Sequence, residues 1–277
     1  MKGYLENEFS SKDAQLVDTL DELSLWSAPF GLKLLDGIRY KKNIASLDIG
    51  FGNGFPLIEI AMRLGKSSKV FGMDLWDEAI ERAEKKISLY KVKNIEIIRG
   101  SAEDMPFEGA YFDLITSNNG LNNIENPDKA LSECYRVLKP GGQFIQSFNL
   151  EGTMSVLYQA MEEVLLKEGM MQHIGLMKSH IFEKRKPLEL IVKKLEDQGF
   201  IVNSITRDTF SYKFVDGTTM FEYFFIRFAF LESWKKIIEP EKQEYIFDGI
   251  ERKLNQIAEL QGTLMLDVPF VVIDCLK

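Results

Sequence analysis

The stretch Leu47-Asp48-Ile49-Gly50-Phe51-Gly52-Asn53-Gly54 constrains this chain more than any other. A short apolar run, Ile44 to Ile49, leads straight into alternating glycines, and Leu57 to Leu64 then reads as an apolar helix. Glycine reaches positive φ at little steric cost and leaves bare backbone for a ligand to approach. The amide-rich start of the following helix points into the same cleft. Strand, glycine loop and helix in that order predict a binding turn at the carboxyl end of a strand.

The alternation continues downstream. Lys69 to Asp74 predicts a second strand, and Trp76 to Tyr90 an amphipathic helix with Ala79, Ile80, Ala83 and Ile87 on one face. Asn94 to Arg99 and Tyr111 to Thr116 predict a third and a fourth strand. Pro127 to Leu138 predicts a helix with proline at its preferred first position. Lys139-Pro140-Gly141-Gly142 is expected to stop that helix and turn the chain into a fifth strand, Gln143 to Phe148. Such alternation implies an α/β fold with crossover units and a parallel sheet, with ligands at the carboxyl ends near the switch point.

The flanks read differently. Asp13 to Leu25 predicts a helix on Leu16, Val17, Leu20 and Leu23, which Trp26-Ser27-Ala28-Pro29-Phe30 is expected to interrupt. Leu32, Leu34, Leu35 and Ile38 predict another short helix. After residue 150 the expectations are a Met-rich helix, Thr153 to Glu168, and a loop or broken helix, Gly169 to Phe182. Then come a helix, Pro187 to Gln198, and a strand, Phe200 to Ile205. A mostly helical stretch, Phe210 to Leu266, precedes a closing strand, Val268 to Cys275. This organises the chain as an N-terminal helical cap (1–43), an α/β core (44–150), and a second half (151–277). That half carries helical insertions, about 151–185 and 210–266, which are expected to form a substrate lid.

Composition removes several classes. A formal net charge of −8 and the lack of a long Lys/Arg run argue against nucleic-acid binding. Lys184-Arg185-Lys186 is too short to argue otherwise and reads as a solvated helix start. Cys134 and Cys275 form neither a metal-ligand pattern nor a disulfide framework, so no metal is expected. Buried thiols fit a reducing cytoplasm. Met1 to Asp21 has no signal-peptide core, and no apolar run reaches the roughly 18 residues a membrane span requires.

The loop departs from the dinucleotide pattern G-x-G-x-x-G, because its third glycine, Gly54, comes one place early and Phe55-Pro56 follows. Asp74 ends the second strand, where a carboxylate can accept both ribose hydroxyls or, alternatively, cap the helix from Trp76. Three further blocks follow in order: Ser101-Ala102-Glu103-Asp104-Met105-Pro106-Phe107, Phe112-Asp113-Leu114-Ile115, and Arg136-Val137-Leu138 running into Lys139-Pro140-Gly141-Gly142.

With the glycine loop and Gly72-Met73-Asp74, these blocks resemble the class I S-adenosylmethionine-dependent methyltransferases, in their small-molecule branch. The resemblance is strong over about residues 40–150. It implies a doubly wound, mostly parallel seven-stranded sheet with an antiparallel last strand, and S-adenosylmethionine as cofactor. It implies that Gly50, Gly52 and Gly54 pass the methionine part, with Asp48 near its amino group. Asp74 would hold the ribose hydroxyls, Leu75 would lie against the adenine, and Ala102 and Glu103 would meet the adenine edge. Asn118 would contact the methionine carboxylate or the sulfonium neighbourhood. Asp113 matches the family's acid on strand four and reads as structural.

The acceptor leaves fewer marks. His173 and His180 are the only histidines and are weak candidates for a general base; each also reads as a loop-anchoring residue. Asn119 and Asn122, beside Asn123, follow strand four and could orient a polar acceptor, or serve as turn residues. The slot Ser117-Asn118-Asn119-Gly120 lacks the Asp/Asn-Pro-Pro-Tyr motif of amino-methylating nucleic-acid enzymes. Met154, Met161, Met170, Met171 and Met177, with Phe221, Tyr223, Phe224, Phe225 and Phe228, read first as core. They also supply a lid over an apolar acceptor, which Tyr4 and Trp26 of the N-terminal helices could help to close. The expected function is methyl transfer to a small, partly apolar molecule, with no nucleic-acid or membrane partner. The alternatives are a nicotinamide-dependent oxidoreductase and a catalytically inactive binding protein of the same fold.

Overall fold

The computed structural model describes Gln15 and residues 24–277. Tyr4, and the helix expected from Asp13 apart from Gln15 and its last two residues, lie outside the described residues. The first described helix, α1 (Ser27–Gly37), begins inside the segment expected to interrupt one. Pro29 falls in its first turn, where the missing N–H has no intrahelical partner to lose, so the proline opens the helix and does not break it.

The expected alternation follows as β1 (Ala45–Ile49), α2 (Leu57–Leu64), β2 (Lys69–Asp74), α3 (Asp77–Leu89), β3 (Ile95–Arg99), β4 (Phe112–Asn118) and α4 (Pro127–Val137). Leu47, Ile49, Val70, Met73, Leu114 and Ile115 are all buried, as strands covered on both faces require. Asn126 caps α4, its side chain accepting from the Lys129 amide.

Strand β5 (Leu138–Asn149) corrects one expectation, because Lys139-Pro140-Gly141-Gly142 is the start of this strand and not a turn before it. Gly141 takes φ 73°, and the register with β4 jumps there: Phe112 faces Leu138, and Leu114 faces Gln143. The Gly141 amide donates to the Lys277 carbonyl, and the Lys277 amide to the Gly142 carbonyl. The glycines therefore bend a strand that the chain end holds in the sheet.

The sheet order is β3-β2-β1-β4-β5-β7-β6, with β6 at Ile201–Phe214 and β7 at Leu264–Leu276. The first five strands pair in parallel. Strand β7 runs the other way, since Gly141 meets Lys277 while Leu150 meets Pro269. Side-chain bonds from Asn203 to Asp274 and from Ser211 to Asp267 give β6 and β7 opposed directions as well. The architecture is the expected α/β seven-stranded sheet with one reversed strand.

The chain divides into two compact units, Met1–Phe148 with Val192–Thr206 and Val271–Lys277, and Asn149–Ile191 with Arg207–Phe270. In the second, α5 (Ser155–Lys167) and α6 (Met171–Lys184) are separate helices, with Gly169 at φ 69° after the first. The loop or broken helix expected at Gly169 to Phe182 is thus a continuous helix from Met171. Lys184 ends α6, and Arg185 is 4% exposed, so the basic triplet is neither a helix start nor wholly solvated. The next helix, α7 (Leu188–Asp197), matches its expected place. Strand β6 extends to Phe214, into the region expected to be helical. Phe210, Tyr212 and Phe214 recur every second residue and pack ring on ring, and this strand period overrides the helical one. Helix α8 (Gly217–Glu222), short helical turns to Lys235, and α9 (Pro240–Gln261) complete the unit.

Strand β1 lies between β2 and β4, so the switch point and its crevice fall at the carboxyl ends of β1 and β4. There two backbones touch. A Cβ on Gly120 would lie 2.5 Å from the Ile49 carbonyl oxygen and 3.0 Å from the Gly50 Cα. Neither neighbour is a side chain that can swing away. Gly120→Ala is therefore expected to cost about 2 kcal/mol or more, a fall of about 4–8 °C in melting temperature. Thermal unfolding measures it, and an unchanged melting temperature would show that these loops do not meet this closely.

Candidate active site

The crevice is built around two acids. Asp48, near the end of β1, is fully buried, and its partner across to β4 is Thr116. The Thr116 hydroxyl donates to Asp48 Oδ1 at 2.6 Å. The other oxygen, Oδ2, is buried with no hydrogen bond. Burial pushes the Asp48 carboxyl up to about 7, with the Asp74 charge adding to the rise and the Thr116 hydroxyl and Leu57 backbone opposing it. Near neutral pH this is a buried acid with an unmet acceptor, a position that a cationic or donor group would complete.

Asp74 ends β2 and faces the glycine loop. Its Oδ2 accepts the Gly52 amide at 2.8 Å, and its Oδ1 accepts the Leu75 and Trp76 amides at 2.7 and 3.0 Å. The Leu75 and Trp76 amides precede the helix, whose N-cap Trp76 has no side-chain cap bond, so Asp74 shapes the turn into α3 and does not cap it. An ionised carboxylate has about four acceptor directions, so the three amides leave room for a ligand hydroxyl. The glycines between the acids divide their work. Gly54, at φ 101°, packs against Ile58 and Ala83, whereas a Cβ on Gly52 would meet nothing within 4 Å. Gly52 therefore presents bare backbone to open space. Leu75, 68% exposed, stands next to Asp74 as an apolar surface with no protein cover.

Ala102 is buried, in a loop that Arg136 holds from below. Arg136 donates to the Phe107 and Met105 carbonyls at 2.7 and 3.0 Å while its fork grips Glu133. Glu133 in turn accepts the Met105 amide. Glu103 accepts the Asn126 amide at 3.0 Å, tying this loop to the start of α4. Asp113 accepts from the Ala45 amide and from Lys139, the structural use expected of it.

Asn118 is more committed than its sequence position implies. Its amide donates to the Ser27 carbonyl at 3.2 Å and its Oδ1 accepts from Ser147 at 2.7 Å. It fastens α1 to the sheet. Gly31 of α1 lies so close to the loop that a Cβ there would sit 2.1 Å from the Phe55 ring. Trp26, half-buried, packs on Phe30 with ring centres 5.4 Å apart. Asn119 takes φ 61°, and the Asn122 amide donates to its side chain at 2.5 Å, so both shape the turn after β4. Thr116, Ser27, Ser147 and Gly31 were not picked out from the sequence. Only a register argument pairing β1 with β4 could have signalled Thr116.

His173, His180 and Tyr223 belong to the second unit. His173 is buried, with Nε2 at 2.6 Å from a Glu239 oxygen just before α9. Burial lowers the His180 pKa, and the Arg185 and Lys184 charges lower it further. Tyr223 packs against Phe214 and Tyr212 at 5.4 and 6.0 Å between ring centres. Among the described residues, no group of His, Cys, Asp and Glu has metal-binding geometry, and no helix is long and apolar enough to cross a membrane.

Residues 47–146 match the methyltransferase domain family. The chain is 32% identical to a demethylmenaquinone methyltransferase of Lactococcus lactis over 155 residues, 56% of this chain and 59% of that protein. It is 41% identical to the ubiquinone/menaquinone biosynthesis C-methyltransferase UbiE of Brucella anthropi over 104 residues, 36% of this chain and 38% of that one. The chain thus spans less than two thirds of these curated relatives. Among solved structures, phosphoethanolamine N-methyltransferase 2 of Haemonchus contortus, in complex with S-adenosyl-L-methionine, superposes with a TM-score of 0.53 at 21% identity. That match covers 89% of this chain and 52% of the other. The seven-stranded fold is that of the class I S-adenosylmethionine-dependent methyltransferases.

The buried acid makes stability depend on pH in a definite direction. Asp48 holds its proton more tightly folded, near 7, than unfolded, near 3.8. The stability it contributes is complete below about pH 4 and is lost as pH rises to about 7. Against an Asp48→Asn variant, which does not titrate, the native chain should lose up to about 4 kcal/mol over that interval and stay level above it. Urea unfolding of both proteins at stepped pH measures this, and a constant difference would remove the buried acid from the account.

Proposed function

We propose that the class I S-adenosylmethionine-dependent methyltransferase domain at residues 47–146 equips this chain to transfer a methyl group to a small, partly apolar molecule. The observation that carries the reading is the unsatisfied Asp48 Oδ2 beside a glycine loop open at Gly52. These residues fit the cofactor. Asp48 meets the cationic methionine end, the Gly52 backbone lies along it, Asp74 takes a ribose hydroxyl, and Leu75 covers the adenine, with Ala102 and Glu103 at its edge. Asn118 acts one step back, by holding α1 against the loop.

When bound, the cofactor supplies an electrophilic methyl on a sulfonium. The chain's own contribution is position, which can lower such a barrier greatly. His173 is engaged with Glu239, and among the described residues no carboxylate pairs with His180. We therefore assign neither histidine the role of base. The acceptor brings its own nucleophile, as an electron-rich ring carbon or an ionised oxygen does. The relatives' names, demethylmenaquinone and ubiquinone/menaquinone methyltransferases, support hydroquinone rings as the first acceptors to assay. The segments about 151–185 and 210–266 carry acceptor recognition in this reading, since they lie outside the matched domain. Two buried, unpaired thiols accord with a cytoplasmic setting.

Calorimetry with S-adenosylmethionine and with NAD tests the cofactor. Binding of the first alone is expected, with Asp74→Ala weakening it about 10- to 100-fold through loss of a charged hydrogen-bonding group. No binding of S-adenosylmethionine at millimolar concentration would refute the function. Formation of S-adenosylhomocysteine with a panel of quinols, phenols and amines then identifies the acceptor. A further mark is pH. Only ionised Asp48 attracts the cation, and its folded pKa is about 7. Affinity should therefore fall by up to about tenfold per unit below pH 7 in the native chain and stay flat in Asp48→Asn.

A further inference from the structure

The second unit contains a cavity of about 510 Å³ lined only by residues between Glu151 and Pro187. Met177, Ile181 and Phe182 form its apolar side. Arg185 and Tyr158, both almost fully buried, form its polar end. Arg185 Nη1 donates to the Tyr158 hydroxyl oxygen at 3.0 Å, and its guanidinium lies 5.4 Å from the centre of the same ring. Trp234 Nε1 donates to that oxygen as well, at 3.0 Å. The phenol oxygen thus accepts twice, and its own proton has no acceptor among the described residues.

Arg185 is in the same condition. Its Nε is buried without a partner, and no carboxylate of the described residues comes within ion-pair distance of it. Of the acids lining the cavity, Glu162 is paired with Lys178 at 2.9 Å, and Glu151 is exposed. A guanidinium cannot shed its charge, and a buried cation without a counter-charge is costly. The cavity therefore ends in unspent donors and one uncompensated positive charge, next to an apolar wall. Two donors to the phenol oxygen also polarise its O–H toward donation.

We propose that this cavity binds a small molecule carrying a carboxylate or phosphate on an apolar, ring-sized body. Arg185 and the Tyr158 O–H take the anion, and Met177, Ile181 and Phe182 take the body. The site stands on its own geometry and does not depend on the methyltransferase reading.

The test uses the full chain and four probes: 4-propylbenzoate, phenyl phosphate, inorganic phosphate and the neutral 4-propylbenzyl alcohol. Calorimetry and Trp234-sensitive fluorescence follow binding. One of the two ring anions should bind at least about tenfold tighter than the alcohol, as a charge-assisted bond implies, and which one names the headgroup. Inorganic phosphate alone should bind more weakly than phenyl phosphate. Arg185→Met should abolish the preference for the anion while S-adenosylmethionine binding persists, and Tyr158→Phe should reduce it several-fold. Equal affinity for alcohol and anions in the native chain, no binding of any probe, or an unchanged preference in Arg185→Met would each overturn the proposal. The comparison within the native chain decides the matter even where a variant fails to fold. Loss of S-adenosylmethionine binding in the native chain would count against the methyltransferase reading and leave this one untouched.

Discussion

The hydrogen bond from Thr116 to Asp48 is the contact on which the first unit's crevice depends. It joins β1 to β4, the two strands whose carboxyl ends open the crevice. It also satisfies one oxygen of a fully buried acid and leaves the other bare. A sheet stabilised for its own sake would place an apolar residue there, as it does at Leu47 and Ile49 on either side. The acid is tolerated because the surrounding contacts outweigh it: Gly50 against Gly120, Ser117 bonded to the Ile49 carbonyl, and the Gly50 amide on Met73. A buried acid with one bare oxygen is a local cost that the fold carries at this point.

Much of this half could be read from the chain. From β1 to α4 the expected elements agree with the structure to within one or two residues, because each strand is a short apolar run and each helix carries one apolar face. The failures have local causes. Pro29 looks like an interruption until its place in the first turn of α1 is known. Gly141 and Gly142 look like a turn until the chain end is found paired with them. A contact across more than a hundred residues leaves no local signature.

The same limit applies to the site. The acids and glycines were visible because backbone geometry demands particular residue types at particular spacings. Their supports were not. Thr116, Ser147 and Ser27 are ordinary residues whose roles come from register, and Gly31 shows its meaning only once Phe55 lies on it. Asn118 was singled out for the cofactor, and the structure adds a task that the sequence did not signal: the nitrogen of its side-chain amide holds α1 and the oxygen holds β5. Arg185 was hidden in another way. Three basic residues in a row look solvated, yet the middle one turns inward at the end of α6, where Lys184 and Lys186 do not.

Among the described residues, each unit has a buried ionisable group that its own residues leave incomplete, and the two are opposite in kind. Asp48 lacks a donor, and its burial holds it near the point of protonation. Arg185 lacks an acceptor for its Nε and a counter-charge among the described residues. An acid can escape its penalty by taking up a proton; a guanidinium cannot. The first site can therefore rest empty at modest cost by titrating. The second has no such release, so a ligand anion or water must supply what the protein does not. This asymmetry makes the cavity beside Arg185 the stronger demand for a partner.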